Sequence, residues 1–195
     1  LFKAIEYMNR SLQLRIEIGN QKYIGKVYNN IGIVYHHQGN YEKALENLEK
    51  SLVIQRSIGR KYGIANCLGN IGEIYADQGD YDKALISLKN SLKIFQELKL
   101  NSSNKTKVER GFAECYTRIA IVYQTKESFE DAIFYYNMAI NLPSKHNDKH
   151  QLASIYYYMA QLYESKDDYN NSLEFNKKSF DKFQEMGDKL NAARS

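Results

Sequence analysis

Four histidines and two cysteines are the side chains in this sequence best suited to metal or nucleophilic chemistry. Their spacing argues against both. His36 and His37 are adjacent, so on a helix they leave the axis about 100° apart and make a poor metal pair. His146 and His150 have the i, i+4 spacing, but they fall in the polar connector beside Pro143, with no carboxylate or cysteine in metal-ligand spacing. Cys67 and Cys115 are too few and too far apart for a disulfide framework, so two reduced, partly buried thiols are expected. No glycine-rich phosphate loop, nucleophile elbow or paired-acid motif occurs. No metal, no cofactor and no catalysis are therefore expected.

What remains is the chemistry of recognition. Asn30 and Asn70 carry amides that offer both a donor and an acceptor, which suits them to holding a peptide backbone. Tyr157 and Tyr158, with Arg118, could supply an aromatic and cationic pocket, because tyrosine gives large contact area at low entropy cost. Packing of these rings against a following repeat is the competing reading.

Composition narrows the class of protein that positions them. The 195 residues are 43% hydrophobic and 26% charged, which fits one or two soluble domains. One proline and 11 glycines are too few for a disordered chain. A net charge of +4, with the two signs interspersed, leaves no nucleic-acid or membrane footprint. No apolar run approaches the roughly 18 residues of a membrane helix, and Leu1-Phe2-Lys3 leads into a patterned helix rather than a signal peptide. A cytoplasmic location is expected, and the missing initial Met reads as an excised fragment.

The elements come from a repeat. Small residues recur at Gly32, Gly72, Ala120 and Ala160, in steps of 40, 48 and 40. Three residues after each anchor stands Tyr35, Tyr75, Tyr123 or Tyr163; nine after stands Tyr41, Tyr81, Phe129 or Tyr169; twelve after stands Ala44, Ala84, Ala132 or Ser172. Tyr28, Leu68, Tyr116 and Tyr156 precede the anchors by four, and Ile31, Ile71, Ile119 and Met159 by one. Positions −4, −1, 0 and +3 share one helical face. A small residue there lets a neighbouring helix approach closely. "QGNY", "QGDY", "KESF" and "KDDY" mark the turn into a second helix. Gly19, Gly59, Asn147 and Gly187 stand where that second helix needs a left-handed cap.

The expected division is one array over 1–195: residues 1–22 as the second helix of a truncated repeat, then repeats over 23–61, 62–108, 109–149 and 150–188, and the start of another over 189–195. The extra eight residues of the second repeat are expected as a surface loop over 98–107, "LKLNSSNKTK". Pro143 is expected to end a helix early and leave "SKHNDKH" as a polar connector.

Large–x–x–Ile–Gly/Ala–x–x–Tyr followed by Tyr/Phe–x–x–Ala resembles the tetratricopeptide repeat (TPR), in an extended 40-residue form similar to that of LGN-type cell-polarity adaptors, kinesin light chains and bacterial peptide-sensing regulators. The resemblance implies an all-α fold, a right-handed α-solenoid superhelix of stacked antiparallel helix pairs, in which each hairpin buries its apolar face on the next. It also implies a concave groove lined by first-helix positions −6, −3, −2, +1, +4 and +5. In the first repeat these include Lys26, Asn29, Asn30, Ile33 and His37; in the second, Asn66, Asn70, Glu73 and Asp77. In the third they include Glu114, Arg118 and Ile121; in the fourth, Tyr157, Tyr158 and Gln161.

Asn30 and Asn70 share the −2 place, which in the family resembles a ladder gripping a peptide; alternatively both are merely solvated or cap-bonded. The chaperone-tail carboxylate clamp fits poorly, since Asn29, Ile33 and Glu114 stand where other residues are needed. The resemblance implies a non-catalytic scaffold for protein–protein interaction, its groove binding a partner peptide or segment. A peptide-sensing or autoregulatory domain of a larger signalling protein is the alternative. A protein partner is expected and nucleic acid is not. The cut ends offer a route to self-association.

Overall fold

The computed structural model describes residues 2–101, 105–142 and 149–187. Among the described residues there are nine helices and no strands: α1 (Phe2–Glu17), α2 (Gln21–His37), α3 (Tyr41–Ser57), α4 (Lys61–Asp77), α5 (Tyr81–Asn101), α6 (Lys105–Thr125), α7 (Phe129–Ile140), α8 (Lys149–Ser165) and α9 (Tyr169–Glu185). The fold is an all-α helical repeat. Its chain falls into two compact units, Leu1–Asn101 and Ser102–Ser195.

In the Leu1–Asn101 unit, α2 pairs with α3 and α4 with α5, and α3 packs on α4. The core joins Ala44, Leu48 and Leu52 of the first hairpin to Cys67, Ile71 and Ile74 of the next. Full burial of each leucine or isoleucine among them contributes about 1.5–3 kcal/mol. Gly32 is the anchor the repeat demands. A β-carbon there would meet Leu48 Cγ at 2.8 Å and the Ala44 carbonyl oxygen at 3.0 Å; at Gly72 it would meet Leu88 Cγ at 2.7 Å and the Ala84 carbonyl at 3.1 Å.

In the Ser102–Ser195 unit, α6 pairs with α7 and α8 with α9, while α8 touches both α6 and α7. Its anchors Ala120 and Ala160 are buried, with Tyr136, Ile155, Met159 and Leu162 as the bulk of the core.

Helix ends follow the sequence signals. Asn40, Asp80 and Asp168 accept from the backbone N–H three residues on, at 3.1, 3.2 and 3.2 Å. Gly19, Gly59 and Gly187 are left-handed, with φ of 71°, 64° and 71°. Asn147 and the 189–195 stub lie outside the described residues.

The expected loop over 98–107 is corrected. Residues 98–101 extend α5 and residues 105–107 open α6, so both helices have 21 residues where α3 and α4 have 17. The insertion thus adds one turn to each of two helices. Apolar residues explain why: Val108 is buried at the first turn of α6 and Leu98 is half-buried, so the added turns pack while their polar residues face water. Residues 102–104 lie outside the description. The polar connector is shortened too, because Lys149 and His150 already belong to α8. α7 stops at Ile140, three residues before Pro143, as the restriction on residues preceding proline requires.

Candidate interaction surface on the first helices

The sequence-predicted site residues all fall on first helices, and each unit is described by itself. In the Leu1–Asn101 unit, Asn70 Nδ2 of α4 donates to Asn29 Oδ1 of α2 at 3.1 Å. The Cys67 thiol also approaches that oxygen, at 3.7 Å, and lies 3.1 Å from Ser51 Oγ. The single hydroxyl proton of Ser51 goes to the Gly25 carbonyl, 2.7 Å away. Ser51 therefore faces Cys67 as an acceptor, and the thiol's one proton is shared between Ser51 and Asn29. Burial pushes the Cys67 thiol up, which keeps it protonated and able to donate. A surface amide is in this way tied to the core by a continuous polar chain.

Asn30 differs from Asn70. It is exposed and its side chain makes no hydrogen bond among the described residues. The two asparagines of the −2 place therefore differ, Asn70 being held by Asn29 of α2.

A second bridge joins the other ends of α2 and α4. His36 Nε2 and Asp77 Oδ2 are 2.7 Å apart, with the His36 side chain 11% and the Asp77 side chain 49% exposed. Sequence reasoning placed both His36 and Asp77 on groove positions but did not pair them. His37 is exposed, and its ring stacks on that of His36 at 5.7 Å and 22°. Ile33, Asn66 and Glu73 are half-buried, while Lys26 is exposed with Nζ 5.4 Å from the Tyr23 ring centre.

In the Ser102–Ser195 unit, Glu114, Arg118 and Ile121 are half-buried on α6, and Tyr157 and Tyr158 half-buried on α8. The two tyrosine rings are 6.0 Å apart and inclined at 60°. Gln161 Nε2 donates to Tyr157 Oη at 3.2 Å, which fixes that ring's outer edge. Tyr136 is fully buried beneath this face and donates to Gln124 Oε1 at 2.8 Å; burial raises its hydroxyl far above the usual phenol range, so it stays neutral.

The −3 place is a weaker groove position than expected. Gly69 and Thr117 are buried there, and the Thr117 hydroxyl turns back to the Ala113 carbonyl at 2.7 Å. Within each unit the two first helices meet in an i to i+41 register. It pairs Asn29 with Asn70 and His36 with Asp77, and it brings Gln151 Nε2 to the Arg110 carbonyl at 3.4 Å. In the Leu1–Asn101 unit the −3 place of α2 thereby faces the −2 place of α4.

Sequence reasoning also missed a recurring serine. Ser51, Ser91 and Ser179, all nineteen residues after an anchor, donate to the carbonyls of Gly25, Ala65 and Ala153 at 2.7, 2.7 and 3.0 Å. The triple recurrence was visible in the repeat alignment; Ala139 takes the place in the third repeat.

Among the described residues no three His, Cys, Asp or Glu side chains gather as a metal site, and no helix is long and apolar enough to cross a membrane. Both cysteines are buried and neither is in a disulfide. His146 lies outside the description; His150 sits edge-on to Phe183 at 5.8 Å.

Comparison with known proteins supports the repeat. No curated protein sequence matches. Among solved structures, aspartyl phosphate phosphatase F from Bacillus subtilis superimposes with a TM-score of 0.83 at 14% identity, over 99% of this chain and 49% of that one. NprR in complex with its cognate peptide NprX gives 0.73 at 21%, over 91% and 48%. BtubC (BKLC) from P. vanneervenii gives 0.72 at 17%, over 97% and 85%. The chain thus spans about half the length of the first two, and identities this low speak for the fold alone. Two family models described as tetratricopeptide repeat match residues 23–97 and 113–146, more than half of the sequence between them. The chain belongs to the tetratricopeptide-repeat family.

Proposed function

We propose that this chain is a non-catalytic protein-interaction scaffold whose first-helix faces hold an extended or helical segment of a partner. The observation that carries this reading is the Asn29–Asn70 hydrogen bond beside the unpartnered Asn30. Asn70 is oriented before any ligand arrives, so little further side-chain entropy is lost on binding. An amide row binds backbone rather than side chains, which suits a segment of varied sequence. The likeness to NprR, solved with a peptide, is consistent with such a role.

The test starts from peptides selected by display against the whole chain. Asn30→Ala with Asn70→Ala weakens the selected peptides at least tenfold in titration calorimetry, with unchanged helix content by circular dichroism. Unaltered affinity would sink the clamp.

The second reading is a peptide-sensing or autoregulatory domain of a larger signalling protein, favoured by the likeness to phosphatase F and NprR. A change in small-angle scattering when a selected peptide is added marks the sensor; an unchanged profile marks the adaptor.

A further inference from the structure

Tyr23, near the start of α2, collects three cations. Arg15 Cζ lies 4.7 Å, Lys26 Nζ 5.4 Å and Lys22 Nζ 5.9 Å from its ring centre. The ring is 39% exposed. Arg15 Nε donates to Ser11 Oγ at 3.1 Å, which fixes the guanidinium. None of the three cations is ion-paired among the described residues. Three like charges gathered around one ring repel one another with little screening, because the Debye length is about 10 Å at 0.1 M salt. An arriving anion relieves that repulsion.

The repeat shows how the cluster is made. Arg15 occupies the place of Gln55, Phe95 and Phe183, all of them buried. Tyr23 occupies the place of Gly63, where an added β-carbon would collide with Gln55. Where the next repeat has a packing seam, this one has a ring and charges. Lys26 is also a groove position, and the far end of α4 carries the opposite sign through Asp77, with Glu73 one turn before it. Charge therefore reverses along the same face.

We propose that Arg15, Lys22 and Lys26 around Tyr23 form a docking subsite for an acidic stretch, aspartate or glutamate side chains, of the protein segment that the first-helix face receives. The identity of the arriving segment rests on the scaffold reading above. The fixed guanidinium offers its fork to one carboxylate, and the flexible lysines follow neighbouring ones. Glu73 and Asp77 disfavour a long uniform polyanion such as RNA, which would carry charge along the whole face.

The probe is a capped, fluorescent hexaglutamate peptide titrated into the whole chain and read by anisotropy at low salt, beside hexaglutamine and decauridine. Hexaglutamate binds saturably and hexaglutamine does not. Lys22→Gln with Lys26→Gln weakens hexaglutamate at least fivefold and flattens its salt dependence, with unchanged circular dichroism. Amide shifts on binding concentrate over residues 11–26. Equal hexaglutamate affinity in the double variant overturns the subsite, as does decauridine binding more tightly through the same lysines. Hexaglutamate binding with no display-selected peptide dependent on Asn30 and Asn70 overturns the clamp and leaves the subsite standing.

Discussion

In the Leu1–Asn101 unit the first helices meet their partners through Gly32 and Gly72; in the Ser102–Ser195 unit the same places hold Ala120 and Ala160. The surrounding side chains differ in step. Lys43 and Lys83 lie over the rings of Tyr35 and Tyr75 at 5.6 and 5.5 Å. Their counterparts Tyr123 and Tyr163 stack almost parallel on Tyr135 and Phe175, both at 5.5 Å. Where those two rings stand, the other unit has Asn47 and Ser87. The turns differ as well. Gly39 and Gly79 take the left-handed conformation with φ of 72° and 80°, while Glu127 and Asp167 take it at 58° and 57°. One unit relies on close backbone approach and relaxed turns, the other on ring stacking and turns held at a steric cost.

The sharpest way to break this contrast is to put the second unit's anchor into the first. Gly32→Ala drives a methyl group against Leu48 and the Ala44 carbonyl, and overpacking of this kind costs about 1–3 kcal/mol. Thermal unfolding should show a clear drop, whereas Ala120→Gly should cost only about 1 kcal/mol through helix propensity. Equal losses would erase the distinction.

The serine tie comes next. Ser91→Ala removes a buried hydrogen bond and should cost roughly 1 kcal/mol in urea unfolding. Ala139→Ser asks whether the third repeat accepts the same tie; a gain there would show that its absence is incidental.

Glu127→Gly and Asp167→Gly relieve left-handed strain of about 1–2 kcal/mol each, partly offset by glycine's unfolded-state entropy of about 0.5–1 kcal/mol. The midpoint of unfolding should rise modestly. A fall would mean that side-chain contacts at these turns outweigh the backbone.

The smallest effect concerns acid. The Asp80 carboxyl is held below its usual range, first by the Lys83 side chain and then by the Lys83 backbone N–H. Because the folded value is depressed, its contribution is present above the unfolded value of about 3.9 and is lost as pH falls through the folded one. Asp80→Asn should shrink the drop in melting temperature between pH 7 and pH 3, most visibly at low salt. Asp168 makes the matching test in the other unit, since the Asn171 side chain and then its backbone N–H lower it in the same sense.

Much of this architecture was legible because it is periodic. The anchors, the +3 tyrosines and the capping glycines announce themselves by recurring. The insertion misled because its turn formers, Asn101 to Asn104, drew attention from Leu98 and Val108, which let the helices continue on either side. That the candidate residues lie on first helices was legible, but their pairings were not. His36 with Asp77 and Asn29 with Asn70 meet at an offset of 41, one more than the 40-residue repeat. That extra residue is set by how neighbouring helices pack, which no single helix encodes. The cluster at Tyr23 escaped notice because it departs from the repeat, and a search for recurrence passes over departures.

The serine ties have a consequence for how this protein can be altered by mutation. Each joins two helices, yet only the serine end is spelled by a codon that matters chemically; the other end is a main-chain carbonyl that every residue possesses. The carbonyl end therefore places no demand of its own on the side chain at Ala65 or Ala153, whereas at Gly25 a β-carbon would meet Gln55 Nε2 at 2.7 Å. In aligned sequences such a constraint has no covarying partner, and comparisons built on paired substitutions would not see it.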